Sequence, residues 1–182
     1  MRVISGFLKG RNIEGYDIVG TRPTMDRVKE SVFGTIQNYI REGIVLDLFA
    51  GTGNLGIEAI SNGASKCYFV DNSKEAIKCI NNNINKMNID DKCVVLNEDY
   101  INALNYFIKN NLKFDIIFVD PPYKYQIIEN IIKLVSENKL LNSNGILVLE
   151  FEFDRIDNVY NLSIIKEKKY GKKSVIILKN VD

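Results

Sequence analysis

Histidine is absent from this sequence, and with it go Ser–His and Cys–His nucleophilic catalysis. Cysteine occurs three times, at Cys67, Cys79 and Cys93, with no metal-like spacing, so these positions read as buried or half-buried thiols and no metal is expected. No apolar run approaches the ~20 residues that a bilayer span needs, and Met1-Arg2-Val3 opens no apolar signal stretch. A cytoplasmic protein without a membrane partner is therefore expected. The chain also lacks an internal repeat or a dividing linker. Its 182 residues, 46% hydrophobic and 26% charged, fit one soluble domain over 1–182, because domains typically take ~100–200 residues. A monomer is expected. The net charge of +1 is uninformative until it is mapped along the chain.

What is present is a regular alternation from Ile44 onward. Strands read at Ile44–Phe49, Lys66–Asp71, Cys93–Asn97, Phe114–Asp120 and Gly145–Phe151, and helical patterns at Leu55–Ser61, Lys74–Met87, Ile101–Asn110 and Ile127–Glu137. This pattern predicts an α/β fold, a parallel sheet with helices on both faces. The habit then changes. Ser163–Lys169 and Lys173–Leu178 are joined only by Tyr170-Gly171-Lys172, which predicts an antiparallel hairpin at the end of the sheet. Residues 1–43 stand ahead of this 44–182 core. RVISGFLKGRNIE, broken at Gly6 and Gly10, predicts a small hairpin; Pro23 keeps Arg22 extended, and Thr24 is placed to cap a helix carrying Val28, Val32, Phe33 and Ile36, with Arg27 and Lys29 outside. The asparagine-rich run at 81–85 looks compositional.

The chemistry concentrates in two stretches. IVLDLFAGTGNLGIEA passes from a strand through a glycine turn into a helix, where Gly51 and Gly53 allow positive φ and the helix start offers N–H groups. Gly51-Thr52-Gly53-Asn54-Leu55-Gly56 fits the G-x-G-x-x-G string of dinucleotide sites, but Asp47 puts a carboxylate beside the turn, which repels a pyrophosphate and suits an ammonium. Asp71, ending the second strand, stands where an acid accepts from ribose hydroxyls. Asp99, beside Tyr100 at the same edge, is placed to accept from an adenine amine. An ammonium, a ribose and an adenine without phosphate describe S-adenosylmethionine.

The second stretch is Asp120-Pro121-Pro122-Tyr123 after a buried strand. An exocyclic base amine is a poor nucleophile until acceptors hold its hydrogens, and Asp120 with the Pro121 carbonyl supplies two. Pro121 and Pro122 stiffen the turn and remove competing N–H groups, and Tyr123 offers a face for the base, a contact worth ~1–3 kcal/mol. A sulfonium donor then asks for positioning and electrostatics, not for a metal or a covalent intermediate.

VLDLFAGTGNLGIEAISNGA, FVDNS and DPPY resemble a class I S-adenosylmethionine-dependent methyltransferase. MRVISGFLKGRNI, RPTMDRVKESVFG and YGKKSVIIL narrow the resemblance to the RsmD family, bacterial enzymes that methylate a guanine N2 in 16S ribosomal RNA. The resemblance covers nearly the whole chain. It implies a Rossmann-like, mostly parallel sheet of seven strands with a reversed hairpin. It places the cofactor on the Asp47, Phe49, Ala50, Gly51, Thr52 and Gly53 turn and on Asp71 and Asn72, with Asp99 and Tyr100 beyond, and the target amine at Asp120 to Tyr123. Asn54 departs from the small residue expected there and is equally able to cap the helix.

The partner implied is 16S ribosomal RNA or an assembling small ribosomal subunit. Arg2, Lys9, Arg11, Arg22, Arg27 and Lys29, with Thr24 among them, crowd the start; Lys166, Lys168, Lys169, Lys172, Lys173 and Lys179 crowd the last hairpin. If both flank the DPPY mouth they form a track for phosphates. Chemistry on a base amine also requires the base outside its stack, at a few kcal/mol. Rival readings are an adenine-N6 or cytosine-N4 DNA methyltransferase, disfavoured by the lack of a target-recognition insertion, a cofactor-binding RNA module without turnover, and an NAD-dependent dehydrogenase.

Overall fold

The computed structural model describes residues 1–15, 23–122, 125–152 and 155–181, with the backbone alone for 23–25. In chain order these form α1 (Pro23–Ile40), β1 (Ile44–Asp47), α2 (Asn54–Ser61), β2 (Lys66–Asp71), α3 (Lys74–Met87), β3 (Cys93–Asn97), α4 (Tyr100–Lys109) and β4 (Phe114–Val119). There follow α5 (Tyr125–Glu137), β5 (Leu141–Phe151), β6 (Leu162–Tyr170) and β7 (Lys173–Asn180). The strands make one seven-stranded sheet in the order β3-β2-β1-β4-β5-β7-β6. β1 to β5 run parallel, and β7 lies antiparallel between β5 and β6. This is the α/β arrangement that the alternation predicts.

Period-two alternation divides the strand residues between two cores. Val45, Ile116, Phe118, Ile146 and Val148 face α1, α2 and α3, whereas Leu46, Ile117, Val119, Leu147 and Leu149 face α4 and α5. Phe118, 1% exposed, stacks on Phe33 of α1 at 5.6 Å and so braces β4 two residues before Asp120. Truncation of such a side chain to Ala typically costs ~3–5 kcal/mol. The helices start where capping chemistry allows: Ser73 Oγ accepts from Ala76 N–H at 3.3 Å, and Asp99 Oδ1 from Ile101 N–H at 2.8 Å.

β5 starts at Leu141, four positions ahead of the expected Gly145, because Leu-Asn-Ser-Asn-Gly reads as a turn yet stays in the sheet. The pairing shifts between Phe114 and Ile116, and a Cβ on Gly145 would lie 2.9 Å from the Asn142 and Phe114 carbonyl oxygens. The bend needs glycine.

The hairpin expected in residues 2–14 is present as a narrow loop bridged at Arg2 and Asn12, and it is docked on α2 instead of standing ahead of the core. Glu58 of α2 accepts from the Ile4 and Ser5 N–H groups and the Ser5 hydroxyl at 2.8–3.1 Å. Gly6 has φ +78°, and a Cβ there would fall 1.9 Å from the Ser61 carbonyl oxygen. Lys29, expected outside α1, is buried at 2% exposure, its Nζ 2.9 Å from Glu58 Oε2 and donating to Asn54 Oδ1 and the Arg2 carbonyl. Helical spacing alone puts Lys29 one position from the Val28 and Val32 stripe, close enough for its head to reach a carboxylate on α2. Asn54 is therefore Lys29's acceptor and not the helix cap, a place taken by Gly53 at φ 81° without a side-chain bond. α1 begins at Pro23, which puts the backbone of Thr24 inside its first turn.

Candidate active site

The glycine turn, Asp47, Asp71, Asp99 and Asp120 lie along the carboxyl edge of the parallel strands, where the ends of β1, β2, β3 and β4 lie side by side. After β1 the chain turns back on itself. Leu48 N–H donates to the Phe118 carbonyl, Ala50 N–H to Val70, and Gly53 N–H closes the turn on Ala50 at 2.7 Å. Gly51 and Gly53 hold φ of 57° and 81°. A Cβ at Gly56 would meet Phe69 at 2.3 Å and Cys67 Sγ at 2.7 Å, so this glycine lets α2 press on β2.

Each acid of the cofactor edge is tied to backbone. Asp71 Oδ2 accepts from Gly51 N–H and Oδ1 from Ser73 N–H, both at 2.9 Å. The glycine turn is thereby fastened to the end of β2, and the roughly four lone-pair directions of a carboxylate leave Asp71 further capacity. Asp47 differs from the expectation of a carboxylate open to a ligand and of free N–H groups at the helix start. It is 2% exposed, and its Oδ2 takes the Gly56 N–H at 2.9 Å. Burial pushes its carboxyl up to about 7; the Gly56 bond opposes this, and the neighbouring charges of Asp120, Asp71 and Glu150 add to it.

Phe49 and Tyr100 pack at 5.6 Å beside Asp99 and present an apolar wall at this edge, with Tyr100 Oη accepting from Asn130 at 3.4 Å. Asn72 is exposed; Ala50 and Thr52 are buried. Asn83, inside the run that looks compositional, joins this edge. It is fully buried, donates to the Thr52 and Glu14 carbonyls at 3.0 Å, and accepts from Glu14 N–H at 2.9 Å. One side chain of the asparagine run thus joins the glycine turn to the residues just after the hairpin. Its signal was position: Asn83 lies on the α3 stripe with Ala76, Cys79, Ile80 and Met87, where a polar residue needs a partner.

Asp120 follows β4 at 29% side-chain exposure, with Pro121 buried and Pro122 exposed. Burial pushes its carboxyl up to about 7; Glu150 raises it further, Lys173 opposes both, and Glu152 adds a smaller push upward. Lys173 Nζ stands 3.4 Å from each Asp120 oxygen and 2.9 Å from Glu150 Oε2. The basic hairpin predicts a phosphate ligand at Lys173; the reversed hairpin instead turns it toward Asp120 and Glu150. Tyr123, Arg22 and Thr24, which were also assigned to the site, lie outside the described residues, apart from the backbone of Thr24.

Arg2, Lys9 and Lys172 are exposed. Arg11 is exposed too, but its Nη2 donates to the Lys86 carbonyl at 2.6 Å in the last turn of α3. That end of α3 leads to the start of β3, at the opposite edge from Asp120. Lys166 donates to Thr35, and Lys168 and Lys179 lie over the rings of Tyr170 and Tyr39. The last hairpin is thus less of a free cationic face than its composition implies.

An edge with Asp47, Asp71, Asp120 and Glu150 against one ammonium suits a cationic ligand and is hostile to a pyrophosphate. The model of the family described as Conserved hypothetical protein 95 matches residues 1–179. The protein YlbH of Bacillus subtilis is 39% identical over 181 residues, 98% of each chain. Ribosomal RNA small subunit methyltransferase D of Haemophilus influenzae is 33% identical over 182 residues, 99% of this chain and 94% of the relative. Among solved structures, the protein yhhF of Escherichia coli is 28% identical with a TM-score of 0.88, covering 99% of this chain and 97% of that one. With a family model matching residues 1–179 and a solved structure sharing its fold over nearly the whole length, the chain has the class I methyltransferase fold and belongs to the Conserved hypothetical protein 95 family, the RsmD family.

Proposed function

We propose that this protein methylates the exocyclic N2 amine of a guanine in small-subunit ribosomal RNA with S-adenosylmethionine. The observation that carries the reading is the position of Asp120, a carboxylate fixed by a Pro-Pro turn beside the acid-rich glycine turn on one edge of the sheet. The substrate class is supported by the name of the Haemophilus influenzae relative, a ribosomal RNA small subunit methyltransferase.

When bound, S-adenosylmethionine supplies a methyl group on a sulfonium, activated for direct in-line transfer to nitrogen. Gly51 and Gly53 let the backbone come close, Asp71 takes hydroxyls, Asp47 supplies charge toward an ammonium, and Phe49, Tyr100 and Asp99 flank the position of a flat base. Asp120 Oδ and the Pro121 carbonyl accept from the target amine, so that its remaining lone pair points away from them. The bound cofactor would supply the methyl group and keep the C–S pair on sulfur, which would leave the accepting nitrogen cationic. Its surplus proton passes to Asp120, whose carboxyl, pushed to about 7, is matched to accepting and releasing a proton near neutrality. Arg2, Lys9, Arg22 and Lys172 are the basic side chains assigned to phosphates.

The test is incubation with labelled S-adenosylmethionine and, separately, small subunits, naked 16S RNA and DNA, followed by mass spectrometry of the modified nucleoside. N2-methylguanine from subunits or 16S RNA is the expected product. Methyladenine, methylcytosine or no transfer would overturn the reading.

A further inference from the structure

Three side chains far apart in sequence meet where the sheet changes direction. Asp120 leaves β4, Glu150 is the penultimate residue of β5, and Lys173 opens β7. The antiparallel register sets Phe151 against Ser174, which swings the first residue of β7 over the carboxyl edge of the parallel strands. Lys173 is 17% exposed and Glu150 9%, so these contacts are shielded from solvent screening. The distances are unequal in an instructive way. The ammonium sits at hydrogen-bond length from Glu150 and stands back, at 3.4 Å, from both oxygens of Asp120. It faces Asp120 without occupying either oxygen at close range, which leaves the carboxylate lone pairs for another donor.

We propose that Lys173 and Glu150 form an opposed pair of positioning residues for Asp120. The ammonium aims the carboxylate and favours its charged form; Glu150 fixes the ammonium and pushes Asp120 the other way. This rests on the reading of Asp120 as the holder of the target amine. The charged groups facing Asp120 among the described residues are Glu150 and Glu152 from β5 and just beyond it, Lys173 from β7 and Asp47 from β1. Of these, Lys173 is the single cation. The pair therefore sets the pH at which Asp120 becomes a competent acceptor, and its two members act with opposite sign.

That opposition separates a positioning role from a structural one. Two readouts are needed: the pH profile of single-turnover methylation of small subunits, and a carbon-13 NMR titration of the Asp120 carboxyl in the protein alone, assigned by its loss in Asp120→Asn. Lys173→Met should move both midpoints upward by about one pH unit or more, and Glu150→Gln should move them downward, since a charge within 4–6 Å shifts a carboxyl by ~1–3 units. Lys173→Arg should stay near wild type, and the double variant Lys173→Met with Glu150→Gln should fall between the singles. Should Lys173→Met fail to fold, Glu150→Gln and Lys173→Arg still decide the matter. Midpoints that move the same way in both single variants, or do not move, overturn the proposal. Opposed NMR shifts in a protein that methylates no RNA would uphold the pair and defeat the proposed function; methylation with unmoved midpoints would do the reverse.

Discussion

Lys29 and Lys173 both lie against carboxylates, and they do different things. Lys29 meets Glu58 at 2.9 Å with both side chains at or below 2% exposure. Every charge there is matched: Glu58 takes three further donors from Ile4 and Ser5, and Lys29 two further acceptors. Lys173 is shared between Asp120 and Glu150, with Asp47 close behind, and the balance is left negative. A matched buried pair fixes geometry, here the docking of the N-terminal loop and α1 on α2. An unmatched cluster keeps a carboxyl poised to titrate, which is a property of a reacting site.

The largest effect expected from this contrast is on stability at the matched pair. Lys29→Met strands Glu58 as a buried charge and should cost ~3–5 kcal/mol in chemical denaturation. Adding Glu58→Gln should recover part of that loss, since the uncompensated charge is gone. If Lys29→Met is nearly neutral, the pair is not a rivet and the contrast fails. Next comes Asp120→Ala, which should leave cofactor affinity near wild type while slowing single-turnover methylation by ~10²–10³, or ~2.7–4 kcal/mol, by analogy with loss of one positioned donor at an oxyanion. Methylation at the wild-type rate would make the DPP turn structural.

The parts of this arrangement that were legible in the sequence are those set by local pattern. Period-two apolar runs, the glycine turn and the strand-end acids locate β1 to β4, to within two residues at the ends of β1 and β4, and put Asp71 at the end of β2, because each depends on near neighbours. Lys29, Asn83 and Lys173 were misread or passed over for one shared reason. Each is a polar side chain whose partner lies on another element, so composition presents it as surface. Lys173 shows it best: as part of KEKKYGKKS it looks like a solvated basic hairpin, and only the reversal of β7 beside β5 turns it toward Asp120. The β5 start was missed because Asn-Ser-Asn-Gly is turn chemistry used here as a bulge.

A smaller effect tests whether the unmatched side carries a cost. The folded state raises the Asp47 carboxyl from 3.8 to about 7, so it binds a proton more readily than the unfolded chain does. The sign follows: this contribution is fully present below pH 4 and is lost as pH rises toward 7. Asp47→Asn keeps an acceptor for Gly56 N–H and carries no charge. It should match wild type near pH 4 and exceed it at pH 8 by on the order of 2 kcal/mol, while binding S-adenosylmethionine more weakly. A variant less stable than wild type at pH 8 would show that Asp47 burial is not opposed by its charge.

The smallest effect expected separates the two lysines that sequence had paired. Lys172 is exposed in the turn between β6 and β7, whereas the adjacent Lys173 is held by Glu150 and Asp120. A lysine already neutralised by protein carboxylates releases few counterions from RNA, so only Lys172 should contribute to the salt dependence of binding. Lys172→Ala should lower the slope of log affinity against log salt by ~0.7–0.9, the share of one phosphate contact. Lys113→Ala is the control, since Lys113 is exposed just before β4, at the opposite edge from Asp120, and should leave the slope unchanged. The contrast is sharpened by Lys173→Met, which should shift the pH profile and barely alter the salt slope. If Lys172→Ala leaves the slope unchanged while Lys173→Met lowers it, the ammonium inside the site, and not the one on the turn, is the phosphate ligand, and the division of labour between the two residues is reversed.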